Sequence, residues 1–92
     1  MVRLNVSMIV EKSENRKPLF ETALDLVAFS LKDKGCIDYD LYESKTNNDR
    51  LMIIETWASK EDLKAHMDTD HFKRLVPELE KYATLTMTEF DF

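Results

Sequence analysis

Only one cysteine, Cys36, occurs in the chain, together with one glycine, two prolines, one tryptophan and two histidines. A single thiol excludes an internal disulfide and supplies too few sulfur ligands for a zinc or iron–sulfur site. A reducing cytoplasm is the compartment that suits it best. Basic residues are in deficit, 13 Lys and Arg against 18 Asp and Glu, for a net charge of −5 and a pI near 5.0. Without a basic field there is nothing to release counterions from a phosphate backbone, so no nucleic-acid partner is expected and an anionic membrane is disfavoured. Long apolar runs are also missing. The first ten residues, MVRLNVSMIV, carry an early Arg and alternate in polarity, and nowhere do 18 apolar residues run together, so neither export nor membrane insertion is expected. The scarcity of Gly and Pro, beside 43% hydrophobic and 34% charged residues, predicts regular elements with short connections. Ninety-two residues leave room for one hydrophobic core, hence a single domain over residues 1–92. A chain of this size buries only about 60–65% of its unfolded surface, which makes self-association the expected further cover.

What is present is a clear succession of periodicities. Val2, Leu4, Val6, Met8 and Val10 alternate with Arg3, Asn5 and Ser7, the period of a strand. From Asn15 to Lys34 the period changes, and Phe20, Leu24, Val27 and Leu31, with Ala23, are expected on the buried face of a helix. Pro18 is tolerable in its first turn, and Gly35 stands where a left-handed residue commonly closes a helix. In CIDYDLYE, Ile37, Tyr39 and Leu41 alternate with Asp38 and Asp40, a strand with one wet face, and residues 44–50 form a polar loop. LMIIETWA is apolar on both faces, as a central strand covered on both sides would be. Ser59 with Asp62 is a capping-box-like start for a helix carrying Leu63, His66 and Met67, and Thr69-Asp70 offers a second cap. Phe72, Leu75, Val76, Leu79 and Tyr82 continue a helical stripe that Pro77 is expected to kink or divide. ATLTMTEFDF alternates again as a final strand. The order βαββαβ predicts an α+β, ferredoxin-like domain with a four-stranded antiparallel sheet and both helical regions on one face. Met52 and Ile54 would then lie on the opposite face, which a second copy is expected to cover.

The stretch from Gly35 to Leu75 carries a Gly-Cys pair, a Tyr-rich strand, Glu-x-Trp at Glu55 and Trp57, and a helix ending His66-x₄-His71-Phe72. This string resembles the antibiotic biosynthesis monooxygenase (ABM) family. The resemblance implies a dimeric α+β barrel, a homodimer, with a pocket between each sheet and its helices. It also implies cofactor-independent oxygenation of a quinol or other small phenolic compound, with O₂ as co-substrate and no flavin or metal. Residue by residue, it makes His66, His71 and Glu55 the candidate catalytic groups and Trp57, Phe72, Asn5 and Tyr39 the candidates for substrate binding. Such chemistry needs a base, because a phenolate passes an electron to O₂ where a phenol does not, and a neutral imidazole suits that task. Trp57 and Phe72 could sandwich an aromatic ring, and Asn5 or Ser7 could hydrogen-bond a carbonyl if the first strand lines the same pocket. The heme-degrading branch of the family is disfavoured, since its axial histidine aligns with Val76.

The plainer readings are that Trp57 fills the core, that His66 is a satisfied half-buried histidine, that His71 is a surface first-turn residue and that His66 or Arg74 pairs with Glu55. A metal site is not expected. The two histidines point about 140° apart on a continuous helix, so they could chelate together only if the Thr69-Asp70 break redirects the chain, and no third ligand stands out. Two other functions compete with the oxygenase: a non-oxidative isomerase or lyase in which Glu55 and a histidine shuttle a proton, and a non-catalytic module that binds a small ligand.

Overall fold

A computed structural model describes residues 1–92. Strand β1 (Val2–Ile9) is followed by a short 3-10 turn (Ser13–Asn15), helix α1 (Arg16–Ser30), strands β2 (Cys36–Glu43) and β3 (Arg50–Trp57), helices α2 (Lys60–Met67) and α3 (Asp70–Tyr82), and strand β4 (Thr84–Asp91). The sheet order is β2-β3-β1-β4, all neighbours antiparallel. Each helical connection therefore returns the chain to a strand two places away, the ferredoxin-like α+β arrangement expected from the element order. No helix is long and apolar enough to cross a membrane.

Alternation assigns the faces. Val2, Leu4, Val6 and Met8 point into the helices and are buried, as are Leu51, Ile53, Glu55 and Trp57 opposite them in β3. Asn5, Ser7, Met52 and Ile54 share the other face and are half-buried within the single chain. The face of β2 departs from simple alternation. A bulge between Cys36 and Asp38 restores the pairing of Tyr39 with Glu55, and it expels Ile37, which the sequence placed on the inner face, to 55% exposure. The extra residue is the one a bulge leaves unpaired.

The buried face of α1 also differs from expectation. Leu19, Ala23, Leu26 and Ser30 form it, while Leu24 and Leu31 are exposed. Apolar residues occur around most of this helix, so two stripes about one residue apart fit the 3.6-residue period, and packing decided between them. The helix ends at Ser30 rather than Lys34. The break in the second helical region falls at Asp68–Thr69, and α3 runs without interruption through Pro77. Pro77 and Lys73, whose carbonyl loses its helical donor, are both exposed, so water can satisfy the freed group. Both expected caps form: Ser59 Oγ accepts from the Asp62 N–H at 3.1 Å, and Thr69 Oγ1 from the Phe72 N–H at 3.3 Å.

Candidate active site

At one end of the covered face, the last turn of β3, the start of β2, the turn after α1 and the α2–α3 junction meet. Glu55 and Trp57 project from β3 by two-residue spacing, and Tyr39 lies across from Glu55. All three are buried, at 2%, 0% and 3% exposure. Over them α2 places His66, 1% exposed. Its ring lies 4.5 Å from the Trp57 ring, with Tyr39 at 5.6 Å and Phe72 at 5.3 Å meeting it edge-on. Trp57 and Phe72 thus flank an imidazole, where the sequence suggested that they would enclose a substrate.

The indole N–H of Trp57 donates to Glu55 Oε1 at 2.9 Å. This is the partner of the buried carboxyl; of the two candidates named for it, His66 Nε2 stops 3.9 Å away and Arg74 lies over the Phe29 ring. Burial pushes the Glu55 pKa up to about 7, against the opposing pull of the Trp57 indole and the Tyr39 hydroxyl. The same burial, reinforced by the Glu55 charge, raises the Tyr39 phenol. Cys36 is pushed up to about 11 by burial and then by Glu55, Asp33 and Asp38, so its thiol is an inert one.

Asp33 is the member that sequence reasoning missed. Its Oδ2 accepts from His66 Nδ1 at 2.7 Å and from His71 Nε2 at 2.8 Å. It reaches them because the chain turns sharply after α1: Asp33 N–H bonds Ser30 O, Cys36 N–H bonds Asp33 O, and Gly35 adopts φ +79°. A side chain at Gly35 would meet Asp62 at the start of α2, so the glycine serves both the left-handed turn and the close approach. Asp33 stood in no motif, and the only signal for it was its nearness to Gly35.

A carboxylate only accepts, so Asp33 places a ring proton on His66 Nδ1, and in the neutral ring Nε2 keeps its lone pair. That Nε2 is buried with no hydrogen-bond partner, 3.9 Å from Glu55 Oε1. Burial lowers the imidazole's pKa, Asp33 pulling it back up and His71 adding to the lowering. His71 sits in the first turn of α3, as expected, and stacks on Phe29 at 5.5 Å. Asn5 does not join the cluster. It pairs with Ile54 and Thr88 and faces the opposite side of the sheet, because alternation sends odd-numbered residues of β1 away from the helices. Glu55, Trp57, His66, His71, Phe72 and Tyr39 do converge.

The cage is closed. A cleft of about 380 Å³ lies between α2 and β4 and is lined by Lys60, Glu61, Leu63, Lys64, Met67 and Glu89. Its walls include none of the converging residues. Of the residues around His66, Phe72, His71 and Asp33 are half-buried.

Comparison with known proteins agrees with this architecture. The family model described as antibiotic biosynthesis monooxygenase matches residues 1–78. YcnE of Bacillus subtilis (strain 168), described provisionally as a monooxygenase, is 31% identical over 65 residues, spanning 71% of this chain and 68% of that protein. A crystal structure of a Bacteroides thetaiotaomicron protein of unknown function, described as a possible oxidoreductase, superposes with a TM-score of 0.96 at 43% identity, covering 99% of this chain and 96% of that one. SnoaB, a cofactor-independent oxygenase from Streptomyces nogalater, shares the fold at a TM-score of 0.89 and 13% identity, over 99% and 91% of the two chains. The chain is a member of the antibiotic biosynthesis monooxygenase family.

Proposed function

We propose that this protein is a cofactor-independent monooxygenase of a quinol or similar small phenolic compound, with His66 as its base. The observation that carries this reading is the buried lone pair of His66 Nε2, held by Asp33 at the opposite nitrogen and walled by Trp57, Tyr39 and Phe72. In such a reaction Nε2 takes the hydroxyl proton, and the phenolate passes an electron to O₂. The radical pair recombines into a peroxide at a ring carbon, and the O–O bond breaks. One oxygen atom stays on the ring as a quinone carbonyl, the other leaves as water with the proton returned by His66, and the balance is ArH(OH) + O₂ → quinone + H₂O. The substrate supplies all the electrons, so no external reductant is needed. Apolar walls favour binding of an aromatic ring and keep water from the anion. A ring would enter by displacing Phe72, with His71 at the rim.

A homodimer formed through the open face of the sheet is part of the same proposal. Its support is the small size of the chain and the half-buried Met52 and Ile54 beside the unpartnered Asn5 Oδ1.

The test is oxygen uptake on adding a hydroquinone such as reduced menadione, with ¹⁸O₂ to trace the product. Uptake above the buffer rate, with one ¹⁸O in the quinone product, supports the reading; uptake at the buffer rate contradicts it. The 3.9 Å approach of His66 Nε2 to Glu55 favours one second reading, proton shuttling in a non-oxidative isomerase or lyase. Turnover of a small carbonyl compound without O₂ would select that alternative.

A further inference from the structure

The two grounds for expecting no metal in the sequence were the divergent histidines and the lack of a third ligand. The fold removes both. The chain turns at Asp68–Thr69 between α2 and α3, which brings His71 back toward His66, and the turn after α1 delivers Asp33 between them. From this geometry we infer a site for a divalent transition-metal ion of the zinc and cobalt kind, held by His66 Nδ1, His71 Nε2 and the Asp33 carboxylate. The inference goes beyond the oxygenase reading and does not rest on it.

Three observations support it. First, one ligand atom from each of the three residues lies within 4.8 Å of the others. Asp33 Oδ2 now stands 2.7 and 2.8 Å from the two nitrogens, so an ion at the usual bond lengths of about 2.0–2.2 Å would enter as the carboxylate draws back and the two imidazoles close on it. Second, Asp33 has no lysine or arginine partner; its carboxylate is met only by the two imidazoles. The side chains of Asp33 and His71 retain 15% and 16% exposure, so the cluster meets solvent on that side. Third, His66 Nε2 is buried and unpartnered, 3.9 Å from Glu55 Oε1. A metal bonded to Nδ1 moves the ring proton to Nε2, and the orphaned nitrogen then becomes a donor aimed at Glu55. Metal-bound histidines commonly have this carboxylate behind them. That proton would give the unsatisfied nitrogen a role as donor toward Glu55, once the ring shifts to close the present 3.9 Å.

Two nitrogens and one oxygen select borderline ions over Mg²⁺ or Ca²⁺, which require oxygen ligands. Three protein ligands leave a position open for water or another small ligand. The metal-bound state and the base-bearing state exclude each other, because an Nε2 that carries the ring proton has no lone pair to offer.

The experiment is a titration of the chelator-stripped full chain with Zn²⁺ by calorimetry and with Co²⁺ by visible absorption. One ion per chain is expected, with Kd on the order of micromolar or tighter. His71→Ala and Asp33→Ala should weaken binding at least about 100-fold, and Glu55→Gln, behind the ligand, about 10-fold. In the unsubstituted chain, Zn²⁺ should remove the His66 Nδ1 proton and produce an Nε2 proton in ¹⁵N-resolved spectra, a readout that needs no variant to fold. Binding no tighter than millimolar, equal affinity in the Asp33 and His71 variants, or a His66 ring unchanged at saturation would each overturn the inference.

Discussion

The two faces of the sheet come from the same strands and differ in what alternation sends to them. On the covered face, β1 contributes Val2, Leu4, Val6 and Met8, and β3 contributes Leu51 and Ile53 before changing character to Glu55 and Trp57 at one end. On the open face the same strands show Arg3, Asn5, Ser7, Met52, Ile54 and Thr56, and β4 adds a row of threonines. The open face is thus amphipathic throughout. The covered face is apolar except at the end where Glu55, His66 and Asp33 meet. A buried carboxyl, an imidazole with a free lone pair and a carboxylate that orients it are costly in a chain with so small a core. Their concentration in one corner separates a site from a scaffold.

Removing the keystone of the covered corner should have the largest effect. Trp57→Ala deletes a fully buried ring and strips Glu55 of its donor, for an expected loss of about 3–5 kcal/mol in denaturant unfolding. Ile54→Lys on the open face should leave the folded chain intact and instead break the proposed homodimer, read as a fall to monomer mass in light scattering. Equal destabilisation by both would erase the distinction between the faces.

Glu55 provides the next test, through pH. Its folded pKa of about 7 stands above its ordinary value of 4.5, so below pH 4.5 the carboxyl is protonated in both states and costs nothing. Between pH 4.5 and 7 the unfolded chain releases the proton that the folded chain retains, and stability falls as pH rises, levelling off above 7. Glu55→Gln should remove this slope, a relative gain of up to about 3 kcal/mol at pH 8 compared with pH 4. Parallel stability curves for the two proteins would show that Glu55 titrates normally. A smaller loss, about 1–2 kcal/mol, is expected for Gly35→Ala from the strained turn and the collision with Asp62, read as a lowered Tm.

How far the sequence reveals this design depends on whether a residue's position follows from local period. The strand faces did: Glu55 and Trp57 share a face by spacing of two, and the Ser59 and Thr69 caps were visible as residue types in the right places. Where apolar residues crowd several sides, as in α1, the period no longer selects one stripe, and Leu19 and Leu26 were missed in favour of Leu24 and Leu31. The bulge that expels Ile37 depends on pairing with β3, a long-range event with no local mark. Asp33 was illegible for the same reason. Its role exists only because a turn at residues 30–36 and a helix break at residues 68–69 meet in space, 33 and 38 positions apart along the chain from its two partners.

The proposed oxygenase has its chemistry in the covered corner, and the rate of hydroquinone-dependent oxygen uptake by metal-free protein decides whether it does. For His66→Gln, with folding verified by its melting curve, kcat should fall about 100-fold or more, whereas Asn5→Ala on the other face should change it less than about 3-fold. A His66→Gln protein that oxidises as fast as the unsubstituted chain, or an Asn5→Ala loss of equal size, would contradict the account.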